Sequence, residues 1–126
     1  MASPSEASVA RDDVVLVRFP FTDLTATKLR PAVVLAASGT EDVVLAFVTS
    51  RVDRPLRFGV PVVENASEFA ATGLRISSTI RVDRLVTLHR HLLLRRLGRL
   101  GPGFRLRVAA ALVELFELDE ILHPSG

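Results

Sequence analysis

The chain has 126 residues, 48 % of them hydrophobic, which is enough for one domain with a sizeable core and too few for a second domain. Its formal net charge is only +2 although its pI is near 10.3, so the charge balance permits nucleic-acid binding without requiring it. The chain has no cysteine, which excludes disulfides, thiolate zinc sites and a cysteine nucleophile, and the absence of a long apolar run or a signal-like N-terminus predicts a cytoplasmic protein.

The two ends of the chain lack a periodic apolar pattern. Residues 1–11 are rich in alanine and serine and predict a disordered tail. A short C-terminal tail is expected at 123–126. The domain is therefore predicted to occupy residues 12–122.

Three short runs of β-branched and apolar residues predict buried strands at Val14–Phe19, Pro31–Ala36 and Val43–Val48. A polar loop joins the first two, and a glycine-containing turn joins the second to the third. Short connections of this kind favour an antiparallel meander. A polar loop held between two rigid strands is a common place for a functional site.

The middle of the chain carries turn and edge signals. Phe58–Val63 predicts a fourth strand, which Pro61 restricts to an edge or an irregular position because proline has no N–H for the strand ladder. Asn65 followed by Glu68 resembles a capping box, so a short helical turn is expected there, ending at Gly73.

The second half predicts more strands and one helix. Ser78–Asp83 and Arg84–His89 favour two further strands, whereas 91–98 is ambiguous between a strand and a helical turn. After a Gly-Pro-Gly break, residues 104–118 predict an amphipathic helix that packs on the strands. Its apolar positions at helical spacing are Phe104, Val108, Ala111, Leu112 and Leu115. The fold class is therefore mainly β, a small barrel with a C-terminal helix.

Few residues offer chemistry. Arg30 precedes Pro31, which biases its backbone toward an extended conformation, but residue statistics alone favour a solvated surface arginine. Thr49 and Ser50 end the third strand, and at least one of these hydroxyls is expected to cap the following turn. Arg51 suits either a phosphate contact or a surface salt bridge.

Other candidates are weaker. Ser78 and Arg81 are three residues apart, which places them on opposite faces of a strand, so Ser78 is expected at the site or an interface and Arg81 in a structural role. Phe19, Phe21, Lys28 and the loop threonines are able to stack on or hydrogen-bond an unpaired base, although Phe19 is expected in the core. The histidines have no neighbouring ligand cluster, and no metal site is predicted.

The sequence resembles the PemK/MazF family of toxin ribonucleases. Residues 12–35 read DDVVLVRFPFTDLTATKLRPAVVL, similar to the opening of many members, and the likeness continues through VTSR at 48–51, STIRVDRLVTL at 78–88 and LGRL at 97–100. The visible departure is Asp12, where members usually have glycine, and it bears on the shape of the turn before the first strand.

The resemblance implies an SH3-like barrel of the CcdB/PemK/MazF type that forms a homodimer, a toxin that cleaves single-stranded RNA sequence-selectively without a metal or another cofactor, and a cognate antitoxin. It also implies that Arg30 and Thr49 are the catalytic residues. The substrate-binding residues expected beside them are Thr22, Thr27, Lys28, Ser50, Arg51 and Ser78.

On this hypothesis the ribose 2′-OH is the nucleophile, Arg30 binds the scissile phosphate, and Thr49 hydrogen-bonds a neighbouring oxygen. The products would be a 2′,3′-cyclic phosphate and a 5′-OH. Because a fold does not fix a function, two alternatives remain open: a CcdB-like topoisomerase inhibitor without catalysis, and an inactive toxin homologue.

Overall fold

A computed structural model of the chain describes residues 9–19, 28–37, 39 and 41–125. These residues form six strands, two α-helices and two 3-10 turns. The strands are β1 (Asp13–Phe19), β2 (Lys28–Ala36), β3 (Asp42–Thr49), β4 (Gly59–Val62), β5 (Ser78–His89) and β6 (Leu93–Arg99). The helices are α1 (Pro102–Leu115) and α2 (Leu118–Leu122), and the 3-10 turns are Ala70–Thr72 and Arg90–Leu92.

All strands belong to one antiparallel sheet in the order β4-β5-β3-β2-β1-β6. The predicted meander of the first three strands and the mainly-β class with a C-terminal helix are confirmed. The sheet is not closed, since among the described residues β4 and β6 pair on one side only. Pro61 lies in the edge strand β4, as its missing N–H predicts.

Alternation along the strands gives the sheet two apolar faces. One face packs against Phe104 and Val108 of α1, the two predicted helix positions that become fully buried. The other predicted positions of α1, Ala111, Leu112 and Leu115, are half-buried, and the helix ends at Leu115, three residues before the predicted limit. The opposite face buries side chains from the first three strands and the start of β6, including Val17, Leu45 and Leu93.

The second half of the chain corrects two predictions. β5 is one strand instead of two, because a bulge accommodates the change in its pairing with β3. Arg81 pairs with Phe47, and the next pair is Leu85 with Ala46. The residues of β5 between these two pairs have no partner on β3. The ambiguous segment after β5 is a 3-10 turn followed by strand β6.

Glu68 does not form the predicted capping box. Its carboxylate instead accepts hydrogen bonds from the N–H groups of Gly103 and Phe104, between 3.1 and 3.2 Å, and so caps the N-terminus of α1 from a distant part of the chain. The predicted stop at Gly73 is confirmed, since this glycine ends the 3-10 turn with a left-handed φ of 74°.

The described residues before β1 pack against the sheet. Val9 is buried in the second apolar face, and the N–H of Ala10 donates to Asp13 Oδ2 at 3.0 Å. Asp12 has a left-handed φ of 74°, the conformation that a glycine would adopt most readily in this turn. None of the helices in the described part of the chain is long and apolar enough to span a membrane.

Candidate anion-binding cleft

A basic cleft of about 430 Å³ lies where the ends of β1, β2 and β3 meet the middle of β5. The described residues that line it are Phe19, Lys28, Arg30, Phe47, Val48, Thr49, Arg51, Arg81 and Arg84. Five of these side chains are cationic, and none of these lining residues is a carboxylate. We call this site the basic cleft; its charge suits a ligand with several negative groups.

Arg30 lies within β2, directly opposite Val17 of β1, because the strand begins at Lys28, three residues before the predicted start at Pro31. Its side chain is exposed and makes no ion pair with any described residue. The ladder between β2 and β3 ends with the pair Ala32 and Phe47; the same register continued by two residues along each chain brings Arg30 opposite Thr49, and both residues line the cleft. Strand geometry therefore places the two predicted catalytic residues together.

The hydroxyl oxygen of Thr49 is held by a backbone hydrogen bond. Its Oγ1 accepts a hydrogen bond from the N–H of Arg51 at 3.1 Å, so the turn-capping role expected for Thr49 or Ser50 falls to Thr49. A threonine hydroxyl that accepts one bond still has its own hydrogen to donate. The cap and a catalytic contact are thus compatible, because the two use different parts of the same group.

Arg81 is held in place by Asp83. The guanidinium donates from Nε to Oδ1 at 3.2 Å and from Nη2 to Oδ2 at 2.8 Å. This hydrogen bonding lowers the pKa of the Asp83 carboxyl and raises the pKa of Arg81. Arg81 was expected to be structural, yet it also lines the cleft, where it presents a fixed positive charge.

A second cavity, of about 540 Å³, lies on the other side of the same strand ends and shares Arg30, Val48 and Thr49 with the basic cleft. Ser50 and Ser78 line this second cavity and not the cleft. The remaining described residues of its lining are Leu16, Leu29, Pro31, Gly73, Leu74, Arg75, Ile76, Arg95 and Leu97.

The structure thus separates the predicted substrate-binding residues. Lys28 and Arg51 lie in the basic cleft beside the two predicted catalytic residues, whereas Ser78, whose Oγ donates to the carbonyl of Ile76 at 2.9 Å, faces the other way. Ser78 and Arg81 thus lie on opposite faces of β5, as the alternation of side chains along a strand predicts for residues three apart. Thr22, Thr27 and Phe21 lie outside the described residues.

Sequence reasoning missed Phe47 and Arg84, which both line the cleft. The signal for Phe47 was its position two residues before Thr49 on the same strand, which puts both on one face. Arg84 depends on the bulge in β5, for which the sequence carries no comparable sign.

Within the described ranges, no group of histidine, aspartate and glutamate side chains is arranged to hold a metal ion. The rings of His89 and His91 stack with centroids 4.4 Å apart, and His89 Nε2 lies 3.3 Å from Glu41 Oε2. These groups lie at the far end of β5 from the strand ends that form the cleft.

The fold is thus a mainly-β domain whose strand ends gather cationic side chains beside a threonine hydroxyl. Residues 10–116 match the family described as the PemK-like, MazF-like toxins of type II toxin-antitoxin systems, and the chain belongs to this family. The match confirms the predicted family and the assignment as a toxin.

Solved structures support the fold. The chain is 25 % identical to the Mycobacterium tuberculosis toxin MazF-mt6, with a TM-score of 0.68 over 85 % of this chain and 98 % of that one. It is 21 % identical to the toxin in a MazE-MazF structure from Deinococcus radiodurans, with a TM-score of 0.70 over 88 % and 98 % of the two chains. An endoribonuclease in complex with its cognate antitoxin from a mycobacterial species is also 21 % identical, with a TM-score of 0.68 over 88 % and 97 %. A comparison of the sequence with curated proteins finds no match.

Proposed function

We propose that this toxin is a cytoplasmic endoribonuclease that cleaves single-stranded RNA, with Arg30 and Thr49 as its catalytic residues. The observation that carries the proposal is the placement of these two side chains together in a cleft lined by five cationic side chains. Endoribonuclease activity is stated for two of the similar mycobacterial proteins, which agrees with the proposal.

In the proposed reaction the ribose 2′-oxygen attacks the adjacent phosphorus and the bond from phosphorus to the 5′-oxygen breaks. The 2′-OH proton passes to water, and the leaving 5′-oxygen takes a proton from water. The products are a 2′,3′-cyclic phosphate and a 5′-OH. RNA brings its own nucleophile, so the protein needs neither a nucleophilic side chain nor a metal ion for this step.

Arg30 binds the non-bridging oxygens of the scissile phosphate and stabilises the additional charge that develops on them. Thr49 donates its hydroxyl hydrogen to a neighbouring oxygen and helps to align the attacking 2′-oxygen. Arginine keeps its proton at any working pH, so Arg30 acts as a charge and a donor and not as a general base.

The other cations of the cleft bind the flanking phosphates. Lys28, Arg51 and Arg84 make no ion pair with a described residue and are free to contact the RNA backbone, whereas Arg81 is oriented by Asp83. Binding through several phosphates predicts a steep fall in affinity with rising salt concentration.

The proposed regulator is a cognate antitoxin, and the proposed assembly is a homodimer that acts on single-stranded RNA. Two similar structures are described as complexes of a toxin with its antitoxin. An antitoxin segment rich in acidic residues would complement the charge of the basic cleft and compete with RNA.

The test is cleavage of a long RNA transcript in EDTA by the wild-type protein and by Arg30→Ala. Arg107→Ala is the matched control, because Arg107 lies on α1 and is exposed outside the cleft. Loss of one charge-stabilising donor is expected to reduce cleavage by about 100-fold or more. The thermal melt should stay unchanged, because Arg30 is exposed and unpaired among the described residues.

Sequencing of the 5′-OH ends identifies the cleavage sites. Wild-type protein that leaves RNA intact would exclude the nuclease, and full activity in Arg30→Ala would remove Arg30 from the mechanism. Products with a 5′-phosphate would exclude attack by the 2′-OH.

A further inference from the structure

Phe47 is an aromatic side chain with one covered face and one side on the basic cleft. Its ring stacks on that of Phe19, with centroids 4.6 Å apart and planes inclined by 28°. Phe19 is 4 % exposed and belongs to the core, whereas Phe47 is only partly buried and lines the cleft. The accessible part of Phe47 is therefore apolar surface inside an otherwise cationic site.

The position of Phe47 relative to the catalytic residues fits a nucleotide. Phe47 and Thr49 are two residues apart on β3, so they share a face and their Cα atoms are about 7 Å apart. This separation is similar to that between the phosphate and the base of one nucleotide. The residue paired with Phe47 on β2 is Ala32, whose small side chain leaves the space above the ring free from that strand.

The opposite neighbour on β5 is Arg81, which Asp83 holds in one orientation. Arginine and an aromatic ring side by side suit an unpaired base, because the ring stacks on the base and the guanidinium attracts its electron-rich edge. A free phosphate has no flat surface that would stack on the ring, whereas a nucleobase has one.

We propose that Phe47 is the platform on which one nucleobase of the RNA stacks, next to the phosphate that Arg30 binds, and that it contributes to the choice of cleavage site. This inference rests on the proposed function and adds a specificity-determining residue to it. Phe47 is a binding residue and takes no part in the transfer of protons or in bond cleavage.

The first test uses an RNA oligonucleotide with a 2′-deoxyribose at the mapped cleavage site, which binds without being cut. Phe47→Leu keeps an apolar side chain but removes the aromatic face, and it should weaken binding by about tenfold or more, as loss of one base-stacking contact does. Phe58→Leu is the matched control, since Phe58 packs against the helix-side core and outside the cleft.

A second test locates the stacked base. Each oligonucleotide of a series lacks one base near the cleavage site. Removal of the base that stacks on Phe47 should weaken RNA binding by the wild-type protein and by Phe58→Leu. It should not weaken RNA binding by Phe47→Leu any further, because this variant has already lost the stacking contact. Such coupling is expected only if that base contacts Phe47. Equal losses for all three proteins at every position would overturn the proposal.

A third test does not depend on the stability of Phe47→Leu. The chain has no tryptophan and no tyrosine, so Phe47→Trp introduces the single strong fluorophore and keeps an aromatic face. Its emission should be quenched when the uncleavable RNA binds, whereas the emission of Phe58→Trp should not change. Binding of RNA without quenching in Phe47→Trp would overturn the stacking, even if the wild-type protein cleaves RNA.

The two proposals fail in different ways. Quenching of Phe47→Trp, but not of Phe58→Trp, by an unmodified RNA that the wild-type protein leaves intact would support the stacking site and contradict the nuclease. Cleavage of RNA without quenching or coupling would support the nuclease and contradict the stacking site. Absence of any RNA binding would overturn both.

Discussion

Asp12 offers a quantitative test of how the fold accommodates a residue where family members usually have glycine. Its φ of 74° is unfavourable for a residue with a Cβ atom, by about 1 kcal/mol. Its N–H donates to the carbonyl of Val34 at 2.7 Å, and its own carbonyl accepts from Leu100 at 2.9 Å, so the turn is held from both sides. Glycine would make the same two backbone hydrogen bonds without the strain.

The carboxylate of Asp12 adds little to compensate. Its side chain is 1 % exposed, with Arg105 Nε 2.8 Å from Oδ2 and Arg11 Nε 3.8 Å from Oδ1, but neither oxygen accepts a well-formed hydrogen bond from the described residues. Arg105 is 62 % exposed, so it regains water when the carboxylate is removed. The cost of burying the carboxylate roughly offsets the attraction of such a pair, which leaves a net contribution of about 0–1 kcal/mol.

Asp12→Gly is therefore expected to be as stable as the wild type or more stable, by up to about 1 kcal/mol, or about 4 °C in Tm for a domain of this size. Asp12→Ala loses the same ion pair but keeps the strained φ. The difference between the two variants, about 1 kcal/mol in favour of glycine, isolates the backbone contribution because both lack the carboxylate.

The assay is urea unfolding followed by circular dichroism, since the chain has no tryptophan to report by fluorescence. An alanine variant as stable as the glycine variant would show that the left-handed turn costs nothing. A glycine variant less stable than wild type by 2 kcal/mol or more, well above the usual worth of a partly exposed ion pair, would show that the pair with Arg105 dominates.

Three further predictions concern the site and its support. Thr49→Val, which keeps the shape but removes the hydroxyl, should reduce RNA cleavage by about 10- to 100-fold, whereas Thr49→Ser should retain most of it; equal activities in a cleavage time course would exclude the hydroxyl from the mechanism. Asp83→Asn should lower Tm at pH 7 by an amount that corresponds to at most about 1 kcal/mol. Because hydrogen bonding from Arg81 lowers the pKa of Asp83, this stabilisation is present above the carboxyl's ordinary pKa and is lost as the pH falls through its depressed value, so melts of the two proteins should converge in acid and stay apart at neutral pH. Glu68→Ala should destabilise the fold by about 1 kcal/mol through loss of the cap on α1, seen as a lower urea midpoint with Arg30-dependent cleavage retained below the transition. A midpoint that does not move would show that water replaces the cap.

The sequence predicts the elements that depend on local patterns. The β-branched runs of β1, β2 and β3 are found within a few residues of their observed limits, because a buried strand needs such side chains on consecutive positions. Pro61 and Gly73 are similarly informative, since proline has no N–H for a central strand and glycine adopts a left-handed φ more readily than other residues. Arg30 and Thr49 were identified through the resemblance, and strand register explains why they meet.

Other features depend on contacts between distant parts of the chain. Glu68 looks like a local cap, but its partner is a helix that begins more than thirty residues later. The continuity of β5 depends on a bulge against β3, which also decides that Arg84 reaches the cleft. Local sequence carries no information on such pairings, because the alternatives differ only in what the rest of the fold places nearby.

The strand ends that carry Arg30 and Thr49 form a wall common to two cavities on opposite sides of the sheet. We expect a change in volume behind this wall, for example Leu97→Ala, to shift Arg30 and Thr49 without touching the RNA of the proposed reaction. A displacement of about 1 Å is enough to slow a reaction that depends on alignment. We therefore expect mutations, or small apolar molecules, on this second side of the sheet to alter the rate of the proposed cleavage without contacting the RNA.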